Sequence, residues 1–216
     1  MSKGEATRQR IVARAAPIFN QRGFGASAMS DVMRATGLQK GGIYRHFDSK
    51  EDLALEAFEY TLKLAFDAHA ANLDAIPNTV DRLKQFLANF VGARVVPGGC
   101  PIFNAAVDAD DGNPKLRARA LRALDEWTAR LIALVREGQR RGEITRRLDA
   151  RDVTTVVISA LEGALIMGRL GRSGQPLRRV QRHLNAFLER QVRRTPRRTA
   201  GGGRARFDSH NKERQQ

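Results

Sequence analysis

The sequence predicts an all-α protein: an N-terminal three-helix unit with a helix-turn-helix, followed by a larger helical domain. Three observations carry this. Ala, Leu, Arg, Glu and Gln recur at helical spacing along most of the chain, and the β-branched alternation expected of strands is hard to find. Capping residues placed just ahead of apolar positions at i, i+3 and i+4 recur from end to end. Aromatic residues, which strands favour, make up only 6% of the 216 residues.

Thr7 is the expected cap of the first helix. Its apolar face is Ile11, Ala15 and Phe19, flanked by Val12 and Ala16, and Gly23 is the expected stop. Pro17 falls inside, where it removes the hydrogen bond to the Ala13 carbonyl. A second helix is expected from Ser27 as N-cap to Gly37, with Val32, Met33 and Ala35 inward. The third is expected over Gln39 to Phe47. Ile43 and Phe47 share its inward face, leaving Gln39, Lys40, Tyr44, Arg45 and His46 to solvent or a ligand. Two short helices joined by a glycine-containing turn form a helix-turn-helix.

Ser49 and Asp52 open a longer helix carrying Leu53, Phe58, Leu62 and Phe66, which would connect the two domains. Further helices are expected from Asn78 or Thr79 to about Val96 and, past the breaker Pro97-Gly98-Gly99, from Pro101 to about Ala109. Asn113-Pro114 starts a helix to Arg141, roughly 40 Å long at 1.5 Å per residue, and Gly142 stops it. Asp149 and Asp152 cap the apolar segment Val153 to Gly168. A final helix near Pro176 presents the stripe Leu177, Val180, Leu184, Phe187 and Leu188. From about Thr195 the Arg, Gly, Ser and Gln content predicts a disordered tail. The expected organisation is a DNA-binding unit over 1–48, a ligand-binding and dimerisation domain over 49–194, and the basic tail over 195–216.

Charge distribution narrows the function. Residues 1–50 carry nine Lys/Arg against three Asp/Glu and residues 190–216 nine against two, so only +2 of the net +15 falls on residues 51–189. A basic end on a helix-turn-helix points to nucleic acid. Cys100, the single cysteine, excludes an intramolecular disulfide. No Cys/His cluster has the spacing of a metal site, and no cofactor is expected. The N-terminus has no apolar signal core. The longest apolar stretch is 16 residues and contains Glu162, too short and too interrupted to span a bilayer, so a cytoplasmic protein without a membrane partner is expected. No catalytic set emerges: His69 and His183 have no nucleophile or carboxylate at catalytic spacing and read as surface or capping residues.

Gly41 and Gly42 each cost about 1 kcal/mol in a helix relative to Ala, so their presence in the third helix needs a reason. Absent side chains let a helix lie close to the DNA surface. Tyr44, His46 and Lys50 are types that donate to phosphate, while Gln39, Lys40 and Arg45 can reach base edges in the major groove.

The segment from Thr7 to Leu53 resembles the TetR family of bacterial transcriptional regulators. The matching residues are Ile11, Ala15, Phe19, Gly23-Phe24, Ser27, Val32, Ala35, Gly37-Leu38, Lys40-Gly41-Gly42-Ile43-Tyr44-Arg45-His46-Phe47 and Ser49-Lys50-Glu51-Asp52-Leu53. The resemblance implies that the helix from Gln39 is the recognition helix, with Ser27, Gly41 and Gly42 joining the DNA-contacting set. It also implies a homodimer that represses from a palindromic operator and is released by a small-molecule inducer. Gly99-Cys100-Pro101-Ile102-Phe103-Asn104 resembles a segment of some family members. The residues assigned to a pocket for a largely apolar ligand are Phe86, Phe90, Cys100, Phe103, Trp127, Leu161 and Glu162, with Arg94, Arg169 or the ligand as partner of Glu162. Cys100, ahead of a helix start, is either a small residue fitting a tight turn or a thiol whose pKa the helix start lowers. The last two helices are expected to dimerise, and the helix from Ser49 to transmit the ligand signal. The competing readings are a helical small-molecule-binding protein or enzyme without specific DNA binding, and a non-specific DNA-coating protein.

Overall fold

The computed structural model describes residues 2–93, 97–109 and 113–194, and within these every regular element is helical. The helices are α1 (Lys3–Arg22), α2 (Met29–Thr36), α3 (Lys40–Tyr44), α4 (Lys50–Ala70), α5 (Thr79–Gly92), α6 (Pro101–Ala109), α7 (Pro114–Arg141), α8 (Ala150–Leu170) and α9 (Gln175–Phe187), the last continuing as a wider turn over Leu188–Val192. Most starts follow from side-chain caps. Ser49 accepts from the Asp52 N–H, Asn78 from Val80 and Asp81, Asn113 from Leu116, and Asp149 from Arg151.

Three local expectations need correction. The first helix starts at Lys3, not Thr7, because Ser2 and Glu5 form a reciprocal capping box. Ser27 does not cap α2: Ala28 occupies that position, and the Asp31 carboxylate accepts from its N–H. The third helix ends at Tyr44 rather than Phe47, since two adjacent glycines in five residues sustain little more than one turn. α5 ends at Gly92, with Ala93 already extended, short of the expected Val96; the tail expected from about Thr195 lies outside the described residues.

Two hydrophobic cores meet inside α4. Ile11, Ala15, Phe19, Val32, Ile43 and Phe47 pack with Leu53, Ala54 and Ala57 in the first, while Phe58 and Leu62, one turn further on, join the second with α5 to α9. One rigid helix therefore belongs to both units. The α7 helix runs away from this junction. Lys115 in its first turn meets Glu51 of α4, and its far end lies against the start of α5, where Arg82 pairs with Glu137.

On α8, Val153, Val157 and Leu161 are buried. Its opposite face stays open and apolar, with Val156, Ile166, Met167 and Leu170 between 47% and 83% exposed. By length and composition alone this helix could cross a membrane; its buried face instead packs into the second core. The stripe on α9 divides. Leu184 and Leu188 are buried in the subunit's own core, and only Leu177, Val180 and Phe187 are partly exposed.

Candidate DNA-reading helix and ligand cavity

α3 stands at the surface of the first core, anchored by Ile43 and by Phe47 just beyond it, both buried. Gln39 precedes the helix in extended conformation and makes no capping hydrogen bond, so its amide is unengaged. Lys40 and Arg45 are exposed and Tyr44 and His46 half-buried, with the Lys40 ammonium 5.8 Å above the Tyr44 ring. A Cβ added at Gly41 would meet nothing within 4 Å, and one at Gly42 only ordinary contact with Leu38. Packing inside the subunit therefore does not require glycine at either position.

Two residues assigned to DNA contact are turned inward. Ser27 is buried, and its hydroxyl donates to the Gly23 carbonyl, closing the α1–α2 turn. The Lys50 ammonium donates to the Phe24 carbonyl at 2.7 Å and lies 4.5 Å over the Phe24 ring, tying α4 to the same turn. Arg8 stacks on Phe47, bonds the His46 carbonyl and pairs with Glu56, fixing the exit of α3 against α1 and α4.

In the second core a narrow cavity of about 80 Å³ opens between α4, α5, α7, α8 and the start of α6. Of the residues assigned to a pocket from the sequence, Phe90, Cys100 and Trp127 line this cavity. Phe86 is one layer behind, packed against His69 and Trp127. Phe103 and Leu161 are not on the wall: the first is partly buried against the core and the second fully enclosed in it. The wall from α4, namely Thr61, Leu62, Ala65, Phe66 and His69, was not anticipated, although the i, i+3, i+4 continuation of Leu62 contains its signal. His69 is no surface residue. Its ring lies 4.9 Å from Phe90 and 6.1 Å from Trp127, centroid to centroid, and burial pushes its pKa down to about 4. The ring is therefore neutral at pH 7.

Glu162 is 2% exposed, and among the described residues neither carboxylate oxygen has a hydrogen bond of ordinary geometry. Burial pushes its pKa up to about 7, and the adjacent Cys100 thiol draws it back only slightly. Arg169 does not pair with it, its guanidinium being bonded to the Asn104 side chain at 2.9 Å, and Arg94 lies outside the described residues. The lowered-pKa reading of Cys100 is reversed. Burial first, then the charge of Glu162, raise the thiol well above its ordinary range, outweighing the N–H groups of Phe103 and Ile102. An activated thiolate is therefore not what this environment favours.

The helix that lines the cavity also grips the first unit. Pro101 and Ile102 are in the cavity wall, and Asn104 donates to the Asn20 carbonyl at 2.9 Å, the Asn20 side chain at 3.1 Å and the Gly98 carbonyl at 2.9 Å. Asn20 donates in turn to the carbonyls of Pro97 and Gly99. Gly98, at φ +111°, approaches so closely that a Cβ there would stand 2.5 Å from the Asn20 carbonyl oxygen. One turn further along α6, the Asp108 carboxylate accepts from the N–H groups of Phe24 and Gly25 at the end of α1.

Comparison with known proteins agrees with this arrangement. Residues 11–57 match the family described as "Bacterial regulatory proteins, tetR family", and residues 79–184 match "Tetracyclin repressor-like, C-terminal domain". A TetR transcriptional regulator from Chloroflexus aurantiacus is 42% identical and superposes with a TM-score of 0.86 over 90% of this chain and 100% of its own. The HTH-type transcriptional repressor DhaR of Mycobacterium sp. is 28% identical over 172 residues, 79% of this chain and 86% of the relative. A structure from Saccharomonospora viridis in complex with choline is 26% identical, with a TM-score of 0.75 over 88% of this chain and 100% of its own. The chain belongs to the TetR family of bacterial transcriptional regulators.

Proposed function

We propose that the protein is a ligand-responsive repressor that binds a palindromic operator as a homodimer and leaves it when the cavity fills. The observation that carries this is α6. Its first turn lines the cavity, and its Asn104 and Asp108 hold the α1–α2 corner of the helix-turn-helix unit. A ligand favouring a different seat for Pro101 and Ile102 would bias where that unit sits, and only such differential affinity can shift the equilibrium. The route through α6 adds to the one through α4, which spans both cores. Relatives named as repressors support the sign of regulation, and the choline complex supports a small-molecule ligand for this fold. The family is one of regulators, and this reading needs no catalytic step; it places the protein in the cytoplasm with the DNA.

In this reading Gln39, Lys40 and Arg45 face base edges, and Tyr44 and His46 face phosphates. Gly41 and Gly42 allow close approach, while Lys50 and Ser27 position the unit from within. Dimerisation uses the open face of α8, where Val156, Ile166 and Met167 flank Gly163, together with the exposed edge of α9. Selection of bound duplexes from a random library should enrich an inverted repeat, since a two-fold protein reads a two-fold site. Enrichment of a single asymmetric element, or none, would refute it.

A further inference from the structure

The cavity is not uniformly apolar. Phe90 and Trp127 stack nearly parallel, 7° apart with centroids at 6.0 Å, and His69 leans on both, so three aromatic rings cluster in the wall. On the α6 side Cys100 forms the wall, and behind it, not itself on the wall, the Glu162 carboxylate lies against its thiol. Glu162 stands one helical turn from Leu165, itself a lining residue, so α8 brings both to the same side. A buried carboxylate is costly, and among the described residues only the weakly donating Cys100 thiol lies against it, with no hydrogen bond of ordinary geometry. A wholly apolar ligand would leave that cost in place.

A cation resolves both features. Aromatic faces attract an ammonium group through their quadrupoles, and a carboxylate in a dry surround binds it strongly. At about 80 Å³ the cavity admits only a compact molecule. Resting on the reading above that this cavity is the ligand site, we infer that its ligand is a small alkylammonium ion. Glu162 holds the charged head once the Cys100 side chain turns aside, and Phe90 and Trp127 cover the alkyl part.

Trp127 is the single tryptophan of the chain and stands in the wall, so its fluorescence reports occupancy directly. Titration of the full-length protein at pH 8 with n-butylammonium chloride and with 1-pentanol, a neutral molecule of similar size, compares the two classes. The ammonium should bind at least tenfold more tightly, and Glu162→Gln should remove that preference while 1-pentanol binding is kept. The comparison on the unaltered protein needs no variant to fold. Pentanol binding as tightly as the ammonium overturns the cation assignment and leaves the cavity as a ligand site. No quenching by either compound overturns the inference. An ammonium preference that survives in a folded Glu162→Gln protein overturns the role of that carboxylate.

Discussion

Replacing Glu162 with Gln should change how stability depends on pH, by an amount that follows from its surroundings. In the unfolded chain this carboxyl titrates near 4.5; in the fold burial holds it near 7. Between those values the folded state keeps a proton that the unfolded state has released. The stability it represents is complete below pH 4.5 and lost as the pH rises through 7. A gap of that width is worth about 3 kcal/mol at about 1.4 kcal/mol per pH unit. His69 works in the opposite sense. Its folded value, about 4, lies below the ordinary 6.5, so its contribution is present above pH 6.5 and lost as the pH falls toward 4. That loss is up to about 3 kcal/mol, less whatever solvent reaches the ring. In the wild type the two trends largely cancel over pH 4.5 to 6.5. Glu162→Gln removes one and exposes the other. A buried amide has its own desolvation cost, but that cost does not vary with pH. The stability of the variant relative to wild type should therefore rise by about 3 kcal/mol between pH 4.5 and pH 8. Urea unfolding followed by Trp127 fluorescence, at fixed protein concentration, measures this. A relative stability that stays constant across that range would refute the burial of an ionisable, unpartnered carboxylate.

Gly41→Ala should stabilise the fold by up to about 1 kcal/mol, because the added methyl meets open space, and, if α3 enters the groove as proposed, weaken operator binding. Thermal melting and a gel-shift titration separate the two effects, and unchanged affinity would count against close approach. Lys40→Ala should alter preference at particular base pairs by about 1–3 kcal/mol. Lys50→Ala should lower stability through the lost Phe24 tie and leave the salt dependence of binding unchanged; a reduced salt slope would restore Lys50 to the phosphate contacts. Asn104→Ala removes the bonds to Asn20 and Gly98, at about 1–3 kcal/mol of stability. It should leave ligand affinity intact while shrinking the effect of ligand on operator affinity, and an undiminished effect would shift the coupling to α4. Val156→Asp with Met167→Asp should weaken dimerisation more than about 100-fold by burying unpaired charge, visible in sedimentation, whereas a retained dimer would move the interface elsewhere.

The helical architecture was legible because most helix starts carry their own signals: Ser49, Asn78, Asn113 with Pro114, and Asp149 each cap where expected. The errors at the N-terminus came from competition between adequate caps, Ser2 over Thr7, decided by the reciprocal bond from Glu5. Ser27 looked like a cap and closes a turn instead, because its hydroxyl reaches a carbonyl four residues back. The existence of α3 was legible from its residues, but its length was not, since two adjacent glycines end it early. In the second domain the cavity was only half visible. Periodicity shows which side chains point inward, but not which of them leave a gap, and His69 on an otherwise ordinary helix face gave no sign of stacking on Trp127. Cys100 shows the same limit for electrostatics. Its place before a helix start argued for a lowered pKa, while burial and Glu162, brought from 62 residues away, decided the opposite. Leu184 belonged to a stripe that α9 divides between the subunit's own core and its surface, a division that only tertiary packing reveals.

Coupling between the cavity and operator binding can be measured directly. For a compound that quenches Trp127, its affinity is determined with and without a saturating operator duplex, and the affinity for the duplex with and without saturating compound. Thermodynamic linkage requires both ratios to be equal. Each partner should weaken the other by the same factor, on the order of 5- to 150-fold. A compound that fills the cavity and leaves operator affinity unchanged would contradict it.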